Sequence, residues 1–276
     1  MTEIRSDWGD WLIRDVEAAQ PNGLAVWYLG CNGFILKGSD GTTVFIDPYV
    51  GLGDPPRTVR MIPVPFDPDD VTDADAVLAT HEHTDHVHGP TQAPILERTG
   101  ATLYAPDESL SVVREDEEWL TEWNVDEGQL SEVTEGKTVE IGEFTVHVEH
   151  ANDSDASHPV SYVIEHDAGT FFHGGDTKPS DEFERIGREY DIDLGVLAFG
   201  TVGMVLDRRT RWYNDENQII EAATALEIDR LLPSHWDMWR GLTSDPKTLH
   251  HHAKSFEYPS RLEITEIGDR VDITGA

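Results

Sequence analysis

Four metal-binding side chains follow directly on a short apolar segment. Residues 75–79 (DAVLA) are typical of a buried β-strand, and the next seven residues, 80–86, read Thr-His-Glu-His-Thr-Asp-His. His81 and His83, two residues apart, can face the same way from the strand end, and Asp85 and His86 follow in the turn. Neutral imidazoles with one carboxylate suit Zn, Mn or Fe, so this spacing can begin two adjacent metal sites.

Three later segments place further donors at predicted strand ends. His150 comes where an alternating segment gives way to a polar loop, and His235 follows another short apolar segment. Asp176 ends a tight glycine turn after a buried segment, which leaves its carboxylate free to bridge two ions. A single histidine at a strand end is usually a surface or hydrogen-bonded residue. Together with the first motif, these segments indicate one shared metal centre.

Composition indicates the setting. The chain has 276 residues, 38% of them hydrophobic, and no linker separates two halves, so we expect one α/β domain over 1–276. Asp and Glu number 54 against 20 Lys and Arg, which gives a formal charge of −34. This density, spread over the whole chain, favours a halophilic host, where salt screens the self-repulsion. It disfavours nucleic acids and anionic membranes as partners.

The cysteine content and the apolar segments predict a cytoplasmic protein. The single cysteine, Cys31, excludes an intramolecular disulfide, and its position after a strand is more typical of a small buried core residue than of a reactive thiol. The start of the chain has no signal-peptide pattern, and no apolar segment approaches the ~18 residues that span a bilayer.

Short apolar segments alternate with helical patterns along the chain, which predicts mixed strands in two sheets with helices outside, four layers in all. A closing hairpin is predicted over 262–273. The predicted strands include 25–29, 33–36, 43–46, 139–141, 144–148, 160–164, 170–173 and 194–199. The predicted helices are 6–19, 108–124, 214–226 and 245–256.

The order of these motifs resembles the metallo-β-lactamase superfamily. Several segments resemble its L-ascorbate-6-phosphate lactonase branch, namely WGDWL (8–12), VWYLGCNG (26–33), AVLATHEHTDH (76–86), HGGDT (173–177) and PSHWDMW (233–239). The resemblance implies an αββα sandwich and a set of residue roles. One metal is expected on His81, His83 and His150, the other on Asp85, His86 and His235, with Asp176 bridging and Asp47 supporting the histidine loop.

Two histidines compete for the third ligand of the first metal. His150 is preferred because it follows its strand directly, whereas His158 stands before Pro159 at the start of the next strand.

Hydrolysis is the expected reaction. One or two divalent ions, Mn or Zn, would lower the pKa of a bound water toward about 7, and Asp85 could orient that water or carry its proton. The resemblance favours a small anionic lactone as substrate. Cyclic phosphodiester hydrolysis is the alternative enzyme function, and a non-enzymatic metal-binding protein is the alternative class. The branch also suggests a homo-oligomer.

A local basic cluster follows the strand near 194–199. Arg208, Arg209 and Arg211 could capture an anionic substrate, since guanidinium groups bind phosphate and carboxylate in a bidentate manner. The alternative is a set of surface ion pairs with the abundant carboxylates.

Overall fold

The computed structural model describes residues 4–116, 119, 122–200 and 212–275. In this part of the chain, 14 strands form two seven-stranded sheets. The strands are β1 (Leu24–Gly30), β2 (Gly33–Lys37), β3 (Thr43–Ile46), β4 (Ala76–Leu78), β5 (Thr102–Ala105), β6 (Leu130–Glu132), β7 (Thr138–Ile141), β8 (Phe144–His150), β9 (Val160–His166), β10 (Gly169–His173), β11 (Ile192–Ala198), β12 (Arg230–Ser234), β13 (Arg261–Leu262) and β14 (Arg270–Ile273).

The two sheets share one pattern of strand directions. The first has the order β14-β1-β2-β3-β4-β5-β6, and the second has the order β13-β12-β11-β10-β9-β8-β7. Strands β14 to β3 pair antiparallel and β3 to β6 pair parallel. In the second sheet, β7 to β10 pair antiparallel and β10 to β13 pair parallel.

Six α-helices cover the outer faces of the described sheets. They are α1 (Trp11–Ala18), α2 (Gly89–Thr99), α3 (Asp107–Glu115), α4 (Phe183–Glu189), α5 (Glu216–Ala225) and α6 (Leu249–Ala253). None of the helices in the described ranges is both long and apolar enough to cross a lipid bilayer.

The helices and the two sheets form four layers, and an apolar cluster lies between each pair of neighbouring layers. One lies between α1 to α3 and the first sheet and includes Leu12, Ile95 and Leu110 from the helices and Trp27 from β1. Another lies between the two sheets, and a further cluster packs α4 to α6 on the second sheet. β1, β2 and β3 are buried on both faces, and apart from the end residues Lys37 and Thr43 their sequences are apolar rather than alternating. This αββα arrangement confirms the predicted fold class.

The predicted strands agree with the structure, but several other elements differ, and α1 begins at Trp11 rather than at residue 6. The closing hairpin is wrong, because β13 joins the second sheet and β14 joins the first. The predicted helix 108–124 is shorter, since α3 ends at Glu115, where Asp116 is extended. Helix α2 was not predicted; it carries Pro94 inside it and begins at a glycine followed by proline.

Candidate metal centre

A buried carboxylate holds the histidine loop that follows β4. Asp47 comes directly after β3 and is fully buried. Its Oδ1 accepts the backbone N–H of Thr80 at 2.8 Å, and its Oδ2 accepts the Thr80 hydroxyl at 2.7 Å. The same Oδ2 accepts a hydrogen bond from His86 Nδ1 at 2.7 Å. That bond fixes the ring proton on Nδ1 and turns Nε2 into the site.

The donor atoms form three overlapping groups, two of which contain Asp176. One group has its donor atoms within 4.8 Å of one another and consists of His81, His83, Asp153 and Asp176. Two further groups at the same spacing consist of Cys31, Asp85 and His235, and of His86, Asp176 and His235. Asp176 Oδ2 lies 3.5 Å from His86 Nε2, and its Oδ1 lies 3.6 Å from His235 Nε2. The carboxylate is thus placed between two positions for a cation.

One buried atom indicates that this donor set fits a metal. Nε2 of His86 is inaccessible to solvent and makes no hydrogen bond, although such an unsatisfied group costs about 1–3 kcal/mol. It faces the carboxylates of Asp176 at 3.5 Å and Asp85 at 4.0 Å. Imidazole and carboxylate are the ligands that Zn and Mn accept. A divalent cation here would satisfy the unpaired nitrogen.

Charges in the cluster favour a cation. Burial lowers the pKa of His81 to about 3, so this ring is neutral at neutral pH. Burial also opposes charge on His86, but Asp47 and Asp176 outweigh it and raise the pKa of His86 well above its usual value. At His235, Asp176 and Asp85 likewise outweigh burial and raise the pKa. The carboxylates therefore stabilise positive charge at this point, either ring protons or metal ions.

The structure places the third predicted ligand, His150, apart from the other donors. The structure does not bring His150 into any of the ligand groups; its Nδ1 lies 3.2 Å from Glu135 Oε2 instead. His158, the alternative, is largely exposed and pairs with Glu108. Asp153 lies beside His81 instead, with its Oδ2 3.9 Å from His81 Nε2.

Strand spacing explains this difference. β8 is separated from β10 by β9, so its end lies about 10 Å from the end of β10. The loop 151–157 crosses that gap and is tied to the segment after β10. Asn152 N–H donates to Thr177 Oγ1 at 2.7 Å, and Lys178 N–H donates to the Asn152 carbonyl at 2.9 Å. These bonds place Asp153 over the centre.

Comparison with known proteins gives the family. A family model described as a beta-lactamase superfamily domain matches residues 42–236, which include all the donors except Cys31. The chain belongs to the beta-lactamase superfamily. A relative named probable L-ascorbate-6-phosphate lactonase UlaG, from Escherichia fergusonii, is 25% identical over 88% of this chain and 78% of that protein.

Solved structures share the fold of this superfamily member. Igni18, titled a novel metallo hydrolase from the archaeon Ignicoccus hospitalis, has a TM-score of 0.66 at 21% identity and covers 90% of this chain and 97% of its own. An isothiocyanate hydrolase from Delia radicum gut bacteria has a TM-score of 0.71 at 15% identity, and the match covers 91% of this chain and 100% of that structure. The predicted class of metal-dependent hydrolase is confirmed at the level of the family.

The metal centre forms the floor of a cleft of about 460 Å³. One wall comes from the loop after β3, which contributes Tyr49, Arg57 and Thr58. Trp212 and Trp239 also line the cleft, and the Trp239 ring packs beside Tyr49 with centroids 5.7 Å apart. Arg208, Arg209 and Arg211 lie outside the described residues, so the structure does not test them.

Sequence reasoning missed several residues around the centre. Asp153 sits in a polar loop, and only its position after β8 could have indicated a donor. Trp239 Nε1 donates to Asp85 Oδ2 at 3.3 Å, and the Tyr213 ring stacks on His235 with centroids 4.0 Å apart. The thiol of Cys31 is buried, as expected of a core residue, yet it also faces Asp85.

Three of the six described non-glycine residues with left-handed backbone lie at the centre. Cys31, Asp47 and His235 have φ values of 57°, 43° and 63°, in the left-handed region that favours glycine. Each such non-glycine residue costs about 1–2 kcal/mol. The surrounding hydrogen bonds offset that cost, and the conformations direct side chains of three different connections toward one point.

Proposed function

We propose that this superfamily member is a metal-dependent lactonase that uses two divalent ions, Mn or Zn, on a small anionic lactone. The observation that carries the proposal is the pair of ligand groups joined by Asp176 at the floor of a cleft. His81, His83, Asp153 and Asp176 would hold one ion. Asp85, His86, Asp176 and His235 would hold the other. The relative named a probable lactonase supports the substrate class.

The bound ions would lower the pKa of a coordinated water and polarise the carbonyl of the substrate. The chain's own contribution centres on Asp85. Its Oδ2 accepts from Trp239 Nε1 at 3.3 Å and lies 3.3 Å from His235 Nε2, which fixes the plane of the carboxylate. Oδ1 is then the oxygen that takes a proton from the attacking water and delivers it to the alkoxide released when the lactone C–O bond breaks.

Substrate recognition would fall to the cleft walls. Tyr49, Trp212 and Trp239 offer flat faces on which a small ring can stack. The Arg57 side chain at the mouth is 86% exposed, and its ion-pair partner among the described residues is Asp54, at 3.8 Å, so its guanidinium is available to an anionic group. Trp212 directly follows Arg211 in the sequence and lines the cleft. This supports the further proposal that the arginines at 208, 209 and 211 assist anion capture.

The test is a substrate panel on protein loaded in turn with Mn, Zn and Co. It includes neutral lactones, a phosphorylated sugar-acid lactone, a cyclic phosphodiester and a thioester. We expect turnover of lactones, with the anionic lactone having the lowest KM. Replacing Asp85 by Asn should lower kcat by at least about 100-fold, because general acid–base catalysis contributes about 10²–10⁴-fold.

The matched control is Asp191→Asn, which removes the same charge at an exposed position before β11, at the opposite end of that strand from the donors. It should leave kcat unchanged. If the protein turns over the cyclic phosphodiester and none of the lactones, the lactonase proposal is wrong and cyclic phosphodiester hydrolysis takes its place. If the metal-loaded protein turns over none of these substrates, the result favours a metal-binding protein without enzymatic activity.

A further inference from the structure

A buried thiol lies against the ligand group that contains Asp85. Cys31 Sγ is 3.6 Å from Asp85 Oδ2 and 3.4 Å from His235 Nε2, and these two atoms are themselves 3.3 Å apart. Cys31 is fully buried and is the only cysteine of the chain. A thiolate, an imidazole and a carboxylate together are zinc ligands.

The backbone presents this thiol to the centre. Cys31 occupies the tight turn between β1 and β2 with φ of 57°. Its N–H donates to Asp237 Oδ1 at 3.3 Å. Its carbonyl accepts from the His235 N–H at 2.6 Å and from the Tyr28 hydroxyl at 3.1 Å. Bonds on both sides of the residue therefore fix the direction in which the side chain leaves the backbone.

The three donor atoms are close enough to share one cation once the Cys31 side chain turns about its Cα–Cβ bond, because Sγ also lies 3.6 Å from His235 Nδ1 and so faces the ring rather than the Nε2 lone pair. A tetrahedral zinc with bonds of about 2.3 Å to sulfur and about 2.0–2.1 Å to nitrogen and oxygen holds its ligands about 3.3–3.6 Å apart. The observed separations are 3.3, 3.4 and 3.6 Å. The unpaired buried Nε2 of His86, 4.0 Å from Asp85 Oδ1, provides a fourth donor aimed at the same space.

We propose that Cys31 is a ligand of the ion held by Asp85 and His235, and that this position selects zinc or cobalt over manganese. The inference rests on the proposed metal-dependent function and deepens it. On binding, the Sγ–H bond breaks, the proton passes to solvent and a sulfur–metal bond forms, with no change in oxidation state. Thiolate is a soft ligand that suits zinc, whereas manganese prefers carboxylate and water.

Cobalt(II) titration of the full-length protein tests this without reference to turnover. We expect visible ligand-field bands together with a thiolate-to-cobalt charge-transfer band in the near ultraviolet. Because the chain has one cysteine, that band can have only one origin. The variant Cys31→Ser should keep the ligand-field bands, lose the charge-transfer band, and bind zinc about 10- to 100-fold more weakly while its manganese affinity changes less than about twofold.

The outcomes separate the two proposals. Ligand-field bands without a charge-transfer band in the wild-type protein would overturn the role of Cys31, leave the metal-dependent function intact, and make the thiol a hydrogen-bond donor to Asp85. No cobalt, zinc or manganese binding would overturn the metal-dependent function itself. If Cys31→Ser does not fold, the wild-type spectrum alone decides.

Discussion

The loop after β4 and the loop after β8 supply donors to the same centre, but they are held in different ways. Residues 80–86 rest on the buried carboxylate of Asp47, which bonds both Thr80 and His86. Residues 151–157, the second loop, are held by hydrogen bonds to residues 80–86, the first loop. Ser157 N–H donates to Glu82 Oε1 at 2.8 Å, and His83 Nε2 lies 3.3 Å from the Asp155 carbonyl.

The difference shows how a ligand can be read from sequence. Donors that directly follow a buried strand and have a buried anchor are placed by the strand itself. A donor in a loop that crosses neighbouring strands is placed by contacts with other parts of the chain. Asp153 is of the second kind, and His150, although it ends β8, is left at the side of the centre.

The largest effect should come from the first loop. His86→Ala removes the ring whose Nε2 faces both carboxylates, so we expect kcat/KM to fall by at least about 1,000-fold, because a metal supplies several kcal/mol of transition-state stabilisation. Elemental analysis should show less metal per chain. His173→Ala removes an equally buried ring outside the ligand groups and should retain the metal. Equal loss of metal in both variants would contradict a specific role for His86.

Removing the anchor should have a smaller effect. Asp47→Asn keeps the shape but replaces one oxygen acceptor by a donor amide. We expect metal affinity and kcat to fall by about 10- to 100-fold, the usual range for groups that orient metal ligands. Isothermal titration with zinc and steady-state kinetics measure both. If Asp47→Asn binds zinc as tightly as the wild-type protein, residues 80–86 do not depend on Asp47. The proposed difference between the two loops would then be wrong.

The second loop gives the sharpest contrast. Asp153→Ala should weaken binding of one metal equivalent by about tenfold, because His81, His83 and Asp176 remain. His150→Ala, the matched control, breaks only a partly exposed pair with Glu135, which is worth about 0–1 kcal/mol. Zinc titration of both variants decides. A weaker site in His150→Ala and an unchanged one in Asp153→Ala would restore the sequence-based assignment.

Much of the fold could be predicted because its strands are apolar on both faces or alternate clearly. β1 to β3 and β8 to β11 are examples. Sequence could not assign β13 and β14 to different sheets, since both are short and the choice depends on which edge is free. Helix α2 was missed because Pro94 and its glycine–proline start read as loop signals.

The candidate site shows the same limit. His81 to His86, Asp176 and His235 were predicted as ligands, and the structure brings them together. The approach of Cys31 and Asp153 depends on contacts between segments far apart in the chain, which no local pattern displays. The substrate, the metal, the homo-oligomer and the halophilic, cytoplasmic setting stay predictions.

The pairing of β14 with β1 sets an order for assembly during synthesis. Strands β7 to β13 are consecutive in the chain and neighbours in their sheet, so the second sheet can close as soon as they emerge from the ribosome. The first sheet cannot be completed at that stage. Its β1 edge exposes unpaired N–H and C=O groups until residues 270–273 have been made, and at about 5–20 residues per second this takes roughly ten seconds or more. An open edge of this kind recruits strands of other chains, and the repulsion between highly charged nascent chains opposes that contact.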